Sequence, residues 1–219
     1  MSFALAAKHP RTRVLGVDPS KEYVGYANSR NPFPDRATFE IGDAQQMRFA
    51  DAIFDASLSL LVFNFIPDPA KALREVCRVT KPGGRVSAAV WDYGGGMQML
   101  RTFWDAASSL DANAVKADEK HMPLCRAGEL SRLWRQAGLE NVREQPLTIA
   151  MEFSSFSDYW GPFQLGQGPA GAYVKGLDRG QQERLRADLK RRVSGSAESA
   201  PFSLNGKVWA VSGIVQRLR

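Results

Sequence analysis

Residues Phe54 to Trp91, FDASLSLLVFNFIPDPAKALREVCRVTKPGGRVSAAVW, carry the pattern that decides the fold. The apolar run Phe54 to Phe63 reads as a central strand buried on both faces. Asp68 then stands as a helix cap with Pro69 in the first helical position, and Ala70, Leu73, Val76 and Cys77 supply the apolar stripe. Lys81-Pro-Gly-Gly84 predicts the end of that helix, and Arg85 to Trp91 predicts the next strand. A strand, a crossover helix and a second strand make a parallel βαβ unit.

Working outward, the same alternation continues upstream. Arg13-Val-Leu-Gly-Val17 reads as a buried strand ending at Asp18, and Pro19-Ser20 leads into a helix over Lys21 to Ser29. Asn31-Pro-Phe-Pro34 breaks that helix, and Ala37 to Ile41 alternates like a strand that stops at Gly42-Asp43. Downstream the rhythm changes. Gly94-Gly-Gly96 reads as a flexible joint, and helices are predicted over Met97 to Leu110, Glu129 to Ala137 and Asp178 to Val193. Strands are predicted over Val142 to Met151, interrupted by Pro146, and over Val208 to Val215. The expectation is an α/β fold with a Rossmann-like, doubly wound sheet, mostly parallel with an antiparallel last strand, and a helical lid after Trp91.

The composition fits. The chain has 219 residues, of which 44% are apolar and 24% charged, so it is globular and not disordered. Leu58 to Phe65, its longest apolar stretch, is interrupted by Ser59 and Asn64 and falls far short of the ~20 residues that span a bilayer. Phe3 to Ala7 is too short for a signal-peptide core, so a cytoplasmic protein is expected. Cys77 and Cys125 make neither a disulfide framework nor a metal cluster. The net charge is +6, yet the positive residues are scattered. Their densest run, Arg179 to Arg192, mixes in Glu183 and Asp188 at helical spacing and reads as a solvated face, not a nucleic-acid surface.

In open α/β sheets, ligands bind beyond the carboxyl ends of the strands. Asp18 stands at one such end, where a carboxylate can accept two hydrogen bonds from a ribose diol. Asp43 stands at another, where it can accept from an exocyclic amine while small Ala44 leaves room for a ring. Each aspartate alone is also a common turn former.

Taken in order, Gly16-Val-Asp-Pro-Ser20, Gly42-Asp-Ala-Gln-Gln-Met-Arg-Phe-Ala-Asp51, Phe54-Asp55, Ile66-Pro-Asp-Pro69 and Arg78-Val-Thr-Lys-Pro-Gly-Gly-Arg85 resemble class I S-adenosylmethionine-dependent methyltransferases. The nearest branch is the small-molecule group that includes quinone-biosynthesis enzymes. The resemblance implies S-adenosyl-L-methionine as cofactor, with Asp18 on its ribose, Pro19 and Ser20 along its adenine side, and Asp43 and Ala44 at the adenine. It also implies that Ser59 and Leu60 flank the methionine moiety through backbone groups, and that the methyl acceptor is a small molecule. The expected layout is a single domain over 1–219, with a cofactor-binding half (1–92), lid and substrate-side elements (93–200) and a final strand (201–219). A nicotinamide-dependent oxidoreductase is the rival enzyme, since Asp18 would serve it equally well; Asp43-Ala44 and Lys-Pro-Gly-Gly favour the methyltransferase.

One motif of the family is missing. A Gly-x-Gly-x-Gly turn should precede the acidic end of the strand at Asp18 by about 20 residues, but Met1 to Pro10 contains no glycine. Phe3 to Lys8 resembles the end of the helix that follows that turn. The expectation is therefore a truncated chain that starts inside the first helix, without the family's first strand. The alternative of another class is a non-catalytic remnant that keeps the fold for protein contacts.

Methyl transfer from a sulfonium is an in-line displacement, so the protein mainly aligns the reactants and excludes water. Aromatic faces can favour a cation, which makes Trp91, Tyr93, Trp104 and Trp160 the substrate candidates. Packing in a core competes with that role for each of them. No catalytic residue stands out: Asp92, just beyond a strand, and His121 are weak candidates for a general base. No metal site is expected.

Overall fold

A computed structural model of the chain describes residues 1–195 and 198–217. It divides into two compact units, one of Met1–Ala88, Ser131–Arg143 and the chain from Ser212 onward, the other of Ala89–Leu130 and Glu144–Val211.

The first unit opens with α1 (Ser2–Lys8), β1 (Val14–Asp18), α2 (Lys21–Ser29) and β2 (Ala37–Ile41). β1 and β2 pair in parallel, from Val14 opposite Ala37 to Asp18 opposite Ile41. α2 begins where the sequence predicts because the Ser20 hydroxyl oxygen accepts the Tyr23 N–H at 3.1 Å. The Asn31 amide closes the turn into β2 by donating to the Ala37 carbonyl at 2.7 Å. α1 is tied down by the Arg36 guanidinium, 2.7 Å from the Ala6 carbonyl, and by the edge of Phe3 against Phe39.

β3 (Phe54–Leu60), α3 (Pro69–Val79) and β4 (Thr80–Trp91) form the predicted βαβ unit with two corrections. β3 stops at Leu60 and not Phe63, because Leu61 takes a left-handed φ of 61° and Phe63–Phe65 winds into a 3-10 turn. β4 begins at Thr80, so Lys81-Pro-Gly-Gly84 lies inside the strand. A Cβ on Gly84 would stand 2.9 Å from the Asp55 carbonyl oxygen and 2.7 Å from that of Lys81. Glycine is what lets the backbones come this close.

α5 (Glu129–Gln136), β5 (Glu140–Phe153) and β6 (Phe202–Ile214) complete a four-stranded sheet of order β3-β4-β6-β5 and its cover. Trp134 of α5 is fully buried, donates its indole N–H to the Val86 carbonyl at 3.1 Å and meets Phe63 edge to face. β6 runs antiparallel to β4: Gly83 and Gly84 exchange backbone bonds with Val215, and Asp92 donates to Lys207. Both late strands are longer than predicted, and Pro146 is tolerated in β5 because this is an edge strand.

The second unit gathers α4 (Gln98–Leu110), α6 (Phe156–Gln164), α7 (Gly168–Gly176) and α8 (Arg179–Ser194) around an aromatic core. Phe103 and Phe163 stack at 4.5 Å between centroids, and the Tyr159 hydroxyl donates to the Met99 carbonyl at 3.0 Å. A reciprocal Asp178–Gln181 capping box starts α8. The Gly94–Gly96 segment is held rather than free. Gly96 exchanges backbone bonds with Asp92 and Lys207, and a Cβ on it would sit 2.5 Å from the Lys207 side chain.

Among the described residues, no helix is long and apolar enough to cross a membrane. Among those same residues, no group of three or more His, Cys, Asp or Glu could hold a metal.

β1 pairs with β2 alone and β3 ends the four-stranded sheet, so each presents an unpaired edge. In a parallel pair, alternate residues direct their N–H groups to the partner. The Val14 N–H meets the Arg36 carbonyl and the Asp18 carbonyl takes the Gly42 N–H, so Gly16 also faces β2 whereas Leu15 and Val17 face away. Amide exchange at Leu15 and Val17 should be at least about tenfold faster than at Gly16. Equal protection at the three positions would mean that β1 has a second partner.

Candidate functional site

The carboxyl ends of β1 and β2 lie side by side, fixed by the pairing of Asp18 with Ile41 and by the bond from the Gly42 N–H to the Asp18 carbonyl at 3.1 Å. This brings together Asp18, Pro19, Ser20, Asp43 and Ala44. The Asp18 Oδ1 accepts the Ser20 N–H at 2.9 Å. That bond orients the carboxylate and leaves Oδ2 for another donor. Ser20 is committed to the start of α2, its hydroxyl 3.0 Å from Glu22 Oε2.

Asp43 is held more firmly. Its Oδ1 accepts the Gln45 backbone N–H at 2.8 Å, and the Gln45 side-chain amide reaches both carboxylate oxygens at 3.2 Å. The backbone bond first, then the side-chain bonds, with Lys71 nearby, hold this carboxyl below the usual carboxylate range. Gln45 Oε1 in turn accepts the N–H of Asp68, the cap of α3, at 3.0 Å. Gln45 stood in the quoted motif without an assigned role, and its function depends on a residue 23 positions away.

The loop that follows Asp43 is clamped by Arg78. Its guanidinium donates to the Phe49 carbonyl at 2.8 Å, the Met47 carbonyl at 3.0 Å, Asp51 at 2.6 Å and Glu75 at 2.8 Å. Glu75 also accepts the Met47 N–H at 2.9 Å, and the Arg78 bond leads in pulling its carboxyl down to about 2.

Ser59 and Leu60 are the last two residues of β3, in a different sheet from Asp18. The chain leaves them through the left-handed Leu61, a conformation that costs energy in a residue with a side chain and concentrates at functional strand ends. Shortly beyond, Asn64 is 5% exposed and its Nδ2 has no hydrogen-bond partner. Sequence reasoning passed over it as an interruption of an apolar run.

The remaining candidates lie in the second unit. Trp91 is half-buried at the end of β4. Asp92, 6% exposed, pairs with the Lys207 ammonium at 2.5 Å and accepts the Gly95 N–H at 3.2 Å, so its carboxylate is already engaged. Tyr93 is buried, with its phenol pushed up to about 12 by desolvation and the nearby Glu119. Trp104 and Trp160 sit inside the aromatic core, Trp104 donating its indole N–H to Glu119. His121 is exposed, its Nδ1 3.0 Å from the Arg126 guanidinium. Arginine can only donate, so Nδ1 is the acceptor in that contact.

Residues 1–88 match the methyltransferase domain family. Similar proteins include 2-methyl-6-phytyl-1,4-hydroquinone methyltransferase of Synechocystis, 32% identical over 104 residues that make up 48% of this chain and 33% of that protein. Another is demethylmenaquinone methyltransferase of Paenarthrobacter aurescens, 46% identical over 80 residues, 36% of this chain and 30% of that one. The matched region thus spans a third or less of these relatives' length. Among solved structures, the YcgJ protein of Bacillus subtilis superposes over 99% of both chains with a TM-score of 0.59 at 17% identity, a likeness of fold.

Proposed function

We propose that this chain, whose residues 1–88 match the methyltransferase domain family, binds S-adenosyl-L-methionine and transfers its methyl group to a small-molecule acceptor in the cytoplasm. The observation that carries the proposal is the adjacency of Asp18 and Asp43 at the carboxyl ends of the parallel β1–β2 pair. Asp18 offers a free carboxylate oxygen to a ribose hydroxyl. Asp43, held ionised by Gln45, offers an acceptor to an exocyclic amine, and Ala44 beside it carries only a methyl group, which leaves room for a purine. These two acceptors fit an adenosine, which a dinucleotide also carries, and the methyltransferase-domain match over residues 1–88 favours S-adenosyl-L-methionine.

When bound, the cofactor supplies an electrophilic methyl on a sulfonium, and its carbon–sulfur electron pair stays with the sulfur on transfer. The protein's own residues bind, orient and exclude water. Residues 1–92 are assigned to the cofactor, with Ser59 and Leu60 flanking its methionine part through backbone groups. Elements over 93–200 are assigned to the acceptor, and 201–219 to the closing strand. Of the four aromatic candidates, Trp91 keeps an accessible ring and is proposed to contact the acceptor, whereas Tyr93, Trp104 and Trp160 serve packing. The hydroquinone and menaquinone chemistry in the relatives' names supports a partly apolar, ring-bearing acceptor.

Isothermal titration with S-adenosylhomocysteine, beside NADH, tests the reading. S-adenosylhomocysteine should bind, and Asp18→Ala or Asp43→Ala should each weaken it about tenfold or more, the loss of one hydrogen bond to a charged group. Binding of NADH alone would convert the reading to an oxidoreductase. Binding of neither by a chain that circular dichroism shows to be folded would favour a fold retained for protein contacts.

A further inference from the structure

We propose that Gln45 is a positioning residue that makes the nucleotide end of the site selective for a 6-amino over a 6-oxo purine; this rests on the cofactor reading above. The Gln45 side chain has one orientation available. Its Oε1 faces the Asp68 N–H at 3.0 Å, a donor that only an oxygen can satisfy, so its NH2 group must face Asp43. There it lies 3.2 Å from both carboxylate oxygens, while the Gln45 backbone N–H takes Oδ1 at 2.8 Å. The Asp68 N–H is itself immobilised, because Asp68 caps α3 by accepting the Lys71 N–H at 2.8 Å. The exit of β2 is thereby locked to the start of α3 through one amide.

Without that amide, exposed Asp43 would be held only through Oδ1 by the Gln45 backbone N–H, and its carboxylate plane could turn about that one bond. With it, the carboxylate plane is fixed and Oδ2 carries a single long bond, so it keeps acceptor capacity toward solvent. A fixed acceptor welcomes an amino group and repels a carbonyl oxygen. Selectivity of this kind follows from leaving a mismatched polar group unpaired, and it needs the acceptor to stay in place.

The test compares S-adenosylhomocysteine with S-inosylhomocysteine by titration into the full chain. In the unaltered protein the adenosyl compound should bind at least about tenfold tighter. Gln45→Ala and the length-preserving Gln45→Met should lower affinity for the adenosyl compound about three- to tenfold, with the inosyl affinity unchanged, so that the ratio collapses. Gln45→Glu should lower it further, since a second carboxylate would face Asp43 and could not donate to it. A role confined to stability would shift the melting temperature and leave the ratio alone, and that result overturns the proposal. Asp43→Ala separates the two readings. If it removes the discrimination and the Gln45 variants do not, Gln45 has no positioning role while the cofactor reading stands. If neither compound binds the unaltered protein, both readings fail.

Discussion

Trp104→Ala should destabilise the protein by about 4 kcal/mol, the cost of emptying a large, closed aromatic site. Trp104 is 1% exposed and packs edge-on against Phe103 and at a tilt against Tyr173, so its neighbours cannot collapse into the space without losing their own contacts. The substitution also strips the buried Glu119 of its indole donor. A urea unfolding curve followed by near-ultraviolet circular dichroism measures the effect, and a loss below about 1 kcal/mol would mean that the helical core is not formed around this ring.

Glu119 adds a pH signature. Burial outweighs its hydrogen bonds and raises its carboxyl above the ordinary value of 4.5. A carboxyl with a raised folded value contributes stability below pH 4.5 that is lost as pH rises through the folded value. Glu119→Gln keeps an oxygen for the Trp104 N–H and removes the charge. It should therefore gain on the unaltered protein as pH climbs from 4.5 toward neutrality; a difference flat with pH would place Glu119 in a solvated setting.

Arg78→Ala is the second large effect, a clear fall in the unfolding midpoint. One guanidinium serves two carbonyls of the loop after Asp43 and two carboxylates, so the variant leaves the Met47 and Phe49 carbonyls short of a donor and Glu75 without its cation. Arg78→Lys should recover little, because an ammonium cannot span the fork. Glu75, at about 2 in the folded protein against 4.5 otherwise, contributes stability that is complete above pH 4.5 and disappears as pH falls through about 2. Acid titration of the unfolding midpoint should show that loss in the unaltered chain and a shallower one in Arg78→Ala. Identical acid profiles would disprove the clamp.

Local signals explain how much of this was legible in the sequence. The limits of α2 follow from Ser20 in front and Asn31-Pro behind, and α3 follows from Asp68-Pro69, because caps and breakers act within a turn. The positions of Asp18 and Asp43 at strand ends were legible for the same reason. Lys81-Pro-Gly-Gly84 misled, since Gly84 serves the close approach of the Asp55 backbone and not a loop, a requirement set by a strand far back in the chain. The roles of Gln45 and Arg78 were invisible for that reason too: each acts on groups brought close only by the fold. Trp104 and Trp160 stand in the buried aromatic core, a placement that depends on four helices meeting and that no local signal announces.

α3 passes into β4 with no residue between them, since Val79 ends the helix and Thr80 starts the strand. The Thr80 hydroxyl donates to the Val76 carbonyl at 2.6 Å and accepts from the Ser57 hydroxyl at 2.6 Å, stitching helix, junction and neighbouring strand at one atom. Val86, Ala88 and Val90 then point inward at every second step. One residue added or removed at this junction would reverse the facing of the whole strand, sending those three outward and Arg85, Ser87 and Ala89 inward. Chain length is therefore constrained at this junction more tightly than residue identity. An insertion or deletion is tolerated better where the chain turns outside its ladders.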